Sequence, residues 1–327
     1  MTKRWRHAAI LLALAGHAAV GDAQQPARIP RVGFVAAAHP AAVAARTEAF
    51  RQGLKELGYV EGRNIVVDYR YAAEQFDRVP ALVDELIRLK ADVIVSAGPS
   101  VTRSARTVTL SVPIVMAFDA DPVGSGVIAS LARPGGNVTG LSIVASDLSG
   151  KTLELLKSVV PRLARVVVFE NSIEPGNAQT LRATREAAEA LGVSLQVIDV
   201  RSPSDIEPAF LAATRGGADA LVVLSSPLIL FHRAQIAGLA ATHRLPAIYP
   251  YADVVDAGGL MTYGVVFNDL FRRAAGFVDR ILKGARPADL PVEQPTKFEL
   301  VINRGAAKRI GLVIPTDVLA RADRIVD

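Results

Sequence analysis

The chain contains no cysteine. That removes thiol catalysis, disulfide stapling and thiolate metal sites together, and with them a lipid anchor on an N-terminal cysteine. Histidine is almost as scarce. Beyond the first 23 residues only His39, His232 and His243 remain, and none stands in an HExxH or comparable array, so no metal site is expected. His232 and His243 flank an expected helix and read as solvated side chains. Asp119 and Asp121 lack the run of spaced oxygen ligands that a calcium loop needs.

Several motifs are missing as well. Gly124-Ser125-Gly126 lacks the spacing of the G-x-S-x-G nucleophile elbow. DPVGSGV has no lysine to make a phosphate loop, and VAAAHPAA stands where a G-x-G-x-x-G fingerprint would follow the first strand. No Lys/Arg cluster is interleaved with aromatics, which argues against nucleic acid. No acid/base or nucleophile set emerges, so the chain is not expected to be an enzyme. No cofactor is expected either.

What is present is apolar and regular. Half of the 327 residues are hydrophobic and 21% are charged, the balance of a folded chain rather than a disordered one. The length favours two lobes, because a single core rarely grows much beyond about 250 residues. MTKRWRHAAILLALAGHAAVGDA has a basic start, an apolar middle too short to span a bilayer, and small residues before a cut. This is the pattern of a cleavable export signal over residues 1–23. Its removal takes away Lys3, Arg4, Arg6 and Asp22, so the formal charge falls from +5 to +3. With no later apolar run of membrane-spanning length, the expectation is a free, unanchored protein in the periplasm.

From residue 31 onward, apolar runs alternate with amphipathic segments. RVGFVAA (31–37), NIVVDYR (64–70), ADVIVSAG (91–98) and PIVMAF (113–118) read as strands, each followed by a helix, the last helix opening near Pro122. A second series follows: ARVVVFE (164–170), VSLQVIDV (193–200), ADALVVLSS (218–226), PAIYPY (246–251) and GLMTYG (259–264), again with helices between. Continuous apolar strands separated by helices imply parallel sheets covered on both faces. The fold class is therefore α/β, with two Rossmann-like lobes. The boundaries expected are 30–140 plus about 266–290 for the N-terminal lobe, and 141–265 plus about 300–327 for the C-terminal lobe.

In open α/β sheets, ligands bind beyond the carboxyl ends of the strands. Those positions nominate His39, Ser96, Gly98, Ser100, Phe118 and Asp121 in the first lobe. In the second they nominate Asn171, Ser225, Ser226, Tyr249, Tyr251 and Tyr263. Hydroxyls, an amide and rings with few charges suit a small polar or aromatic molecule. Asp121 reads as a partner for a ligand ammonium, and Asp119 as a helix cap.

Several stretches carry a family resemblance: FRQGLKELGYVEGRNIVVDYRYA (50–72), DPVGSGVIASLARPGGNVTG (121–140), KTLELLKSVVP (151–161), AGGLMTYG (257–264) and ILKGARPADLPVEQPTKFELVINRGAAKRIGL (281–312). Together they resemble the ABC-transporter substrate-binding protein family that includes the aromatic amino-acid binders of the TrpX type. The resemblance covers nearly all of the chain after residue 30. It implies a type 1 periplasmic binding protein fold, with three crossover strands forming a hinge between the lobes. It further implies capture of a small organic solute (an amino acid, aromatic in some members) and delivery to an inner-membrane permease with its ATPase, by a monomer. The alternative is a ligand-sensing partner of a membrane receptor. Where many relatives have a threonine-rich run after the third strand, this chain has Ala97-Gly98-Pro99-Ser100, leaving Ser100 or Ser96 to supply the hydroxyl.

Overall fold

The computed structural model describes residues 28–327 apart from residues 74 and 144. The expected export signal lies outside the described residues. The first half of the chain alternates strand and helix: β1 (Arg31–Ala36), α1 (Ala44–Glu56), β2 (Val66–Tyr71), α2 (Val79–Arg88), β3 (Val93–Ala97), α3 (Pro99–Val108), β4 (Ile114–Phe118) and β5 (Val138–Gly140). These strands form one parallel sheet in the order β2-β1-β3-β4-β5. The inner strands are buried along nearly their whole length, as a sheet covered on both faces demands.

The second sheet is built from β6 (Arg165–Glu170), β7 (Ser194–Asp199), β8 (Ala220–Val223), β9 (Ala247–Tyr249) and β10 (Met261–Val265). Between them run α4 (Ser149–Val159, ahead of β6), α5 (Asn177–Leu191), α6 (Pro203–Arg215), α7 (Pro227–Phe231), α8 (Arg233–Thr242) and α9 (Ala252–Asp256). The chain then makes α10 (Phe267–Leu282), β11 (Phe298–Asn303), α11 (Arg304–Ile310), α12 (Thr316–Leu319) and β12 (Arg324–Val326). The sheet order is β12-β11-β10-β9-β8-β6-β7, with β11 antiparallel to β10 and every other pairing parallel. This is the two-lobed α/β architecture that the strand and helix pattern led us to expect, and the type 1 periplasmic binding protein fold that the family resemblance implies.

The chain passes between the sheets three times: after β5, between β10 and α10, and between α10 and β11. On the third passage Glu293 bridges Leu141, and the Val292 N–H donates to the Leu131 carbonyl. That strip of chain therefore lies beside the end of β5. Although α10 falls between two neighbouring strands of the second sheet, it packs against α1 of the first. The approach is close. A Cβ added at Gly53 would lie 2.3 Å from the Arg272 carbonyl oxygen. Gly→Ala inside a helix ordinarily gains up to ~1 kcal/mol. Here the sign reverses, and Gly53→Ala is expected to cost ~1–3 kcal/mol through overpacking, visible as a lowered urea midpoint.

Three features differ from the sequence expectation. No helix opens at Pro122; residues 122–125 form turns. Gly126 adopts φ +70°, and the Asp121 carboxylate takes the Gly124 N–H at 2.8 Å, so the local bonds close a turn instead of propagating a helix. The other two are β5 and β12, three residues each, too short to leave a periodic trace in the sequence.

Candidate ligand-binding cleft

The carboxyl ends of β3 and β4 face those of β6, β8 and β9 across a narrow seam, and side chains from both lobes meet there. Ser100, in the first turn of α3, donates to Glu174 Oε1 at 3.0 Å. Arg46, on the buried face of α1, pairs with Asp253 of α9 at 3.1 Å. Its guanidinium lies 4.5 Å from the Phe267 ring centroid and 4.9 Å from that of Tyr251, close enough for cation–π attraction to both. Phe118, at the end of β4, meets Phe267 edge-on at 5.1 Å.

Asp119 follows directly, and only 1% of its surface is exposed. Its Oδ1 accepts the Asp121 N–H at 3.0 Å, but its Oδ2 is buried and has no hydrogen-bond partner among the described residues. Burial pushes the Asp119 carboxyl up to about 7, with the neighbouring Asp121 charge adding to the rise. Glu174, from the other lobe, is 7% exposed and is likewise pushed up to about 7, first by burial and then by the charge of Asp119. The Ser100 hydrogen bond and the Arg103 charge pull it the other way. Two buried carboxyls from opposite lobes are thus electrostatically coupled, and the Arg103 charge acts on both.

The nominated residues separate into groups. Ser100 and Phe118 stand at the seam. The Ser225 hydroxyl bonds the Tyr251 hydroxyl, and Tyr251 meets Phe267 edge-on at 5.2 Å. Asn171 is buried, its Oδ1 taking the Ile173 N–H at 3.3 Å. Gly98 adopts φ +116° and lets its backbone approach the Phe118 ring, which a Cβ would meet at 3.3 Å. His39 is exposed, its ring 5.6 Å from that of Phe231.

Others turn away from the seam. The Ser96 hydroxyl is wholly buried and bonds Thr102 at 2.8 Å. Ser226 caps α7 by accepting the Ile229 N–H at 3.3 Å. Tyr263 stacks on Phe298. Tyr249 is buried, its hydroxyl without a hydrogen-bond partner among the described residues, and with Tyr263 it lines a cavity that also reaches Ala120, Ser225 and Phe267. Asp121 spends one oxygen on Gly124 and borders an open polar recess with Arg103 and Arg182. The two aspartates therefore exchange their expected roles in geometry: Asp121 closes the turn, and Asp119 holds the free carboxylate oxygen.

Sequence reasoning missed Glu174, Arg46 and Asp253. A signal existed for two of them. Arg46 shares a helical stripe with Phe50 and Gly53, an apolar face where a cation needs a reason. Glu174 lies four residues past β6, in a loop that points at the cleft.

The model of the family described as ABC transporter substrate binding protein matches residues 32–326. The chain belongs to that family. A tyrosine-binding protein of Clostridioides difficile (strain R20291) is 26% identical over 274 residues, covering 84% of this chain and 78% of that protein. A conserved domain protein of Vibrio cholerae has a solved structure with a TM-score of 0.87 at 26% identity, covering 91% of this chain and all of that one. A Streptococcus pneumonia ABC domain in complex with L-Trp gives a TM-score of 0.85 at 23% identity, covering 91% of this chain and 99% of that one. In this substrate-binding protein no helix among the described residues is long and apolar enough to cross a membrane. No group of three or more potential metal ligands clusters among them either.

Proposed function

We propose that the protein is the periplasmic solute-binding component of an ABC uptake transporter, and that it captures an α-amino acid between its lobes by hinge closure. One observation carries the reading: Asp119 Oδ2 is buried and unpartnered among the described residues, and the charge of Asp119 helps to raise the buried carboxyl of Glu174 from the opposite lobe. An α-ammonium placed between them turns two awkward carboxyls into hydrogen-bonded partners. Charge-assisted bonds of this kind contribute about 1.5–3 kcal/mol each. Because one carboxyl belongs to each lobe, the gain exists only when the lobes are closed, which is what biases the hinge. Relatives named for tyrosine and L-Trp support the ligand class. The free N–H groups at the start of α3, opened by Gly98-Pro99, suit the ligand carboxylate. Arg46, reaching from α1 to Asp253, adds a second lobe-to-lobe contact. A permease reads the closed shape, and no covalent chemistry is involved.

The test is a thermal-shift and calorimetric screen of L-amino acids beside their des-amino carboxylic acids. The expected result is a rise in Tm for amino acids only, with compaction by small-angle scattering. Equal shifts from the des-amino acids would remove the ammonium from the account. Proton release gives a further check. Burial raises both carboxyls to about 7 without ligand, and an ammonium would hold both ionised, so binding at pH 6–7 should expel about one to two protons. Calorimetry in buffers of different ionisation enthalpy would report it. An enthalpy independent of buffer contradicts the expectation.

A further inference from the structure

Arg46 projects from α1 of the first lobe into the seam, and only 4% of its side chain is exposed. A guanidinium so deeply placed needs compensation, and its neighbours fall on two sides of the hinge. Phe267, whose ring centroid lies 4.5 Å from the guanidinium carbon, opens α10 and meets Phe118 of β4, so it belongs with the first lobe. Asp253 and Tyr251 belong to the second. Asp253, in the first turn of α9, accepts the single hydrogen bond that the Arg46 side chain donates among the described residues, at 3.1 Å. The Tyr251 ring centroid stands 4.9 Å from the same guanidinium carbon.

Separating the lobes therefore keeps the Phe267 contact and breaks the other two, and water replaces what is lost. The exchange is lopsided. A guanidinium is weakly hydrated for an ion, whereas its attraction to an aromatic face strengthens as water is excluded. Asp253 keeps 33% of its side chain exposed when paired, so it gives up little hydration on closing. None of these contacts involves a ligand. From this arrangement we propose that Arg46 is a ligand-independent latch: through Asp253 and Tyr251 it holds part of the empty protein closed, and it slows the escape of a bound solute. Arg46 is thus a positioning residue for closure. The like charges of Asp119 and Glu174, coupled across the same seam, work against it, so the empty hinge is balanced between one attractive and one repulsive contact. The proposal rests on the hinge-closure reading above and is indifferent to which solute is captured.

The test compares the unaltered full chain with Arg46→Met, Asp253→Asn and the double variant. Methionine keeps the packing of a long stem and removes the charge. Asp253 is partly exposed, so its variant keeps the test open should Arg46→Met fail to fold. Small-angle scattering without ligand should give each variant a larger radius of gyration than the unaltered chain. With L-tyrosine and L-tryptophan as kinetic probes, dissociation should quicken ~10-fold in either single variant while association stays within about twofold. The double variant should match the singles, because losing either partner dissolves the pair. Arg46→Lys, which restores a cation, should recover part of the effect. Unchanged ligand-free dimensions and dissociation rates in both single variants overturn the latch, while compaction of the unaltered chain by a probe would leave the hinge reading standing. A loss of affinity confined to Arg46→Met, with Asp253→Asn unchanged, also overturns it, by making Arg46 a ligand contact. If the unaltered chain binds a probe without compacting, the hinge reading fails and the latch falls with it. If neither probe binds, the ligand-free scattering decides.

Discussion

Asp119→Asn should weaken amino-acid binding by about 10- to 100-fold, the loss of one charge-assisted hydrogen bond. The same change should raise the Tm of the ligand-free protein at pH 7.5. Both effects have one cause. Asparagine keeps an oxygen for the Asp121 N–H but places an N–H₂ where Oδ2 is buried without a partner. It cannot attract an ammonium, and it no longer needs a proton. In the native protein both carboxyls are raised to about 7 from values near 4. The folded, empty chain therefore holds protons that the unfolded chain has already released. The stability these groups contribute is fullest below pH ~4 and declines as pH rises towards 7. The decline should be shallower in Asp119→Asn. Asp121→Asn is the control: its partner is the local Gly124 N–H, so ligand affinity should stay within about twofold. Equal losses in both variants would return the ammonium to the pair as a whole and defeat the assignment.

Gly176→Ala should weaken ligand binding by roughly 10- to 100-fold without unfolding the protein. Gly176 caps α5 at φ +87°, a left-handed conformation that costs alanine about 1–2 kcal/mol whether the lobes are open or closed. The second cost depends on closure. A Cβ at Gly176 would stand 2.7 Å from the Ala120 Cβ of the other lobe, well inside contact distance. The substitution thus penalises the closed form selectively, and apparent affinity falls with the closed population. Scattering should show the ligand-induced compaction reduced. The added restriction comes from one methyl against another, so Ala120→Gly introduced into Gly176→Ala should recover most of the affinity. A double variant no better than the single one would place the defect in the α5 cap and not in the seam.

The architecture was legible because buried parallel strands must be apolar on both faces. The runs 91–98, 113–118, 164–170 and 218–226 carry that signature, and the core strands β3, β4, β6 and β8 lie within them. The missed strands β5 and β12 have three residues each, fewer than any period can reveal. The false helix at Pro122 came from treating proline as a start signal, where Asp121 and two nearby glycines instead close turns.

The cleft was legible as a set of strand ends and not as contacts. Ser100 and Phe118, beyond β3 and at the end of β4, reach residues of the other lobe, whereas Ser96 and Ser226 bond within their own lobes. Which of two aspartates two residues apart keeps a free oxygen depends on turn geometry that no spacing rule encodes. Glu174 and Arg46 act only through partners more than 70 residues away in the chain, Ser100 and Asp253. Such pairings appear only when two lobes are brought together.

The placement of α10 bears on how the chain reaches its native state. The helix that covers α1 of the first sheet ends at Leu282, and the strands that complete the second sheet begin at Phe298 and end at Val326. Neither lobe has its full set of elements until nearly the whole polypeptide has been released from the ribosome. A nascent chain of this design stays incompletely folded through most of synthesis, because its closing contacts join segments more than 200 residues apart, such as Tyr59 with Asp279. The placement also predicts that truncation before α10 leaves the first sheet with a bare apolar face rather than an independent lobe.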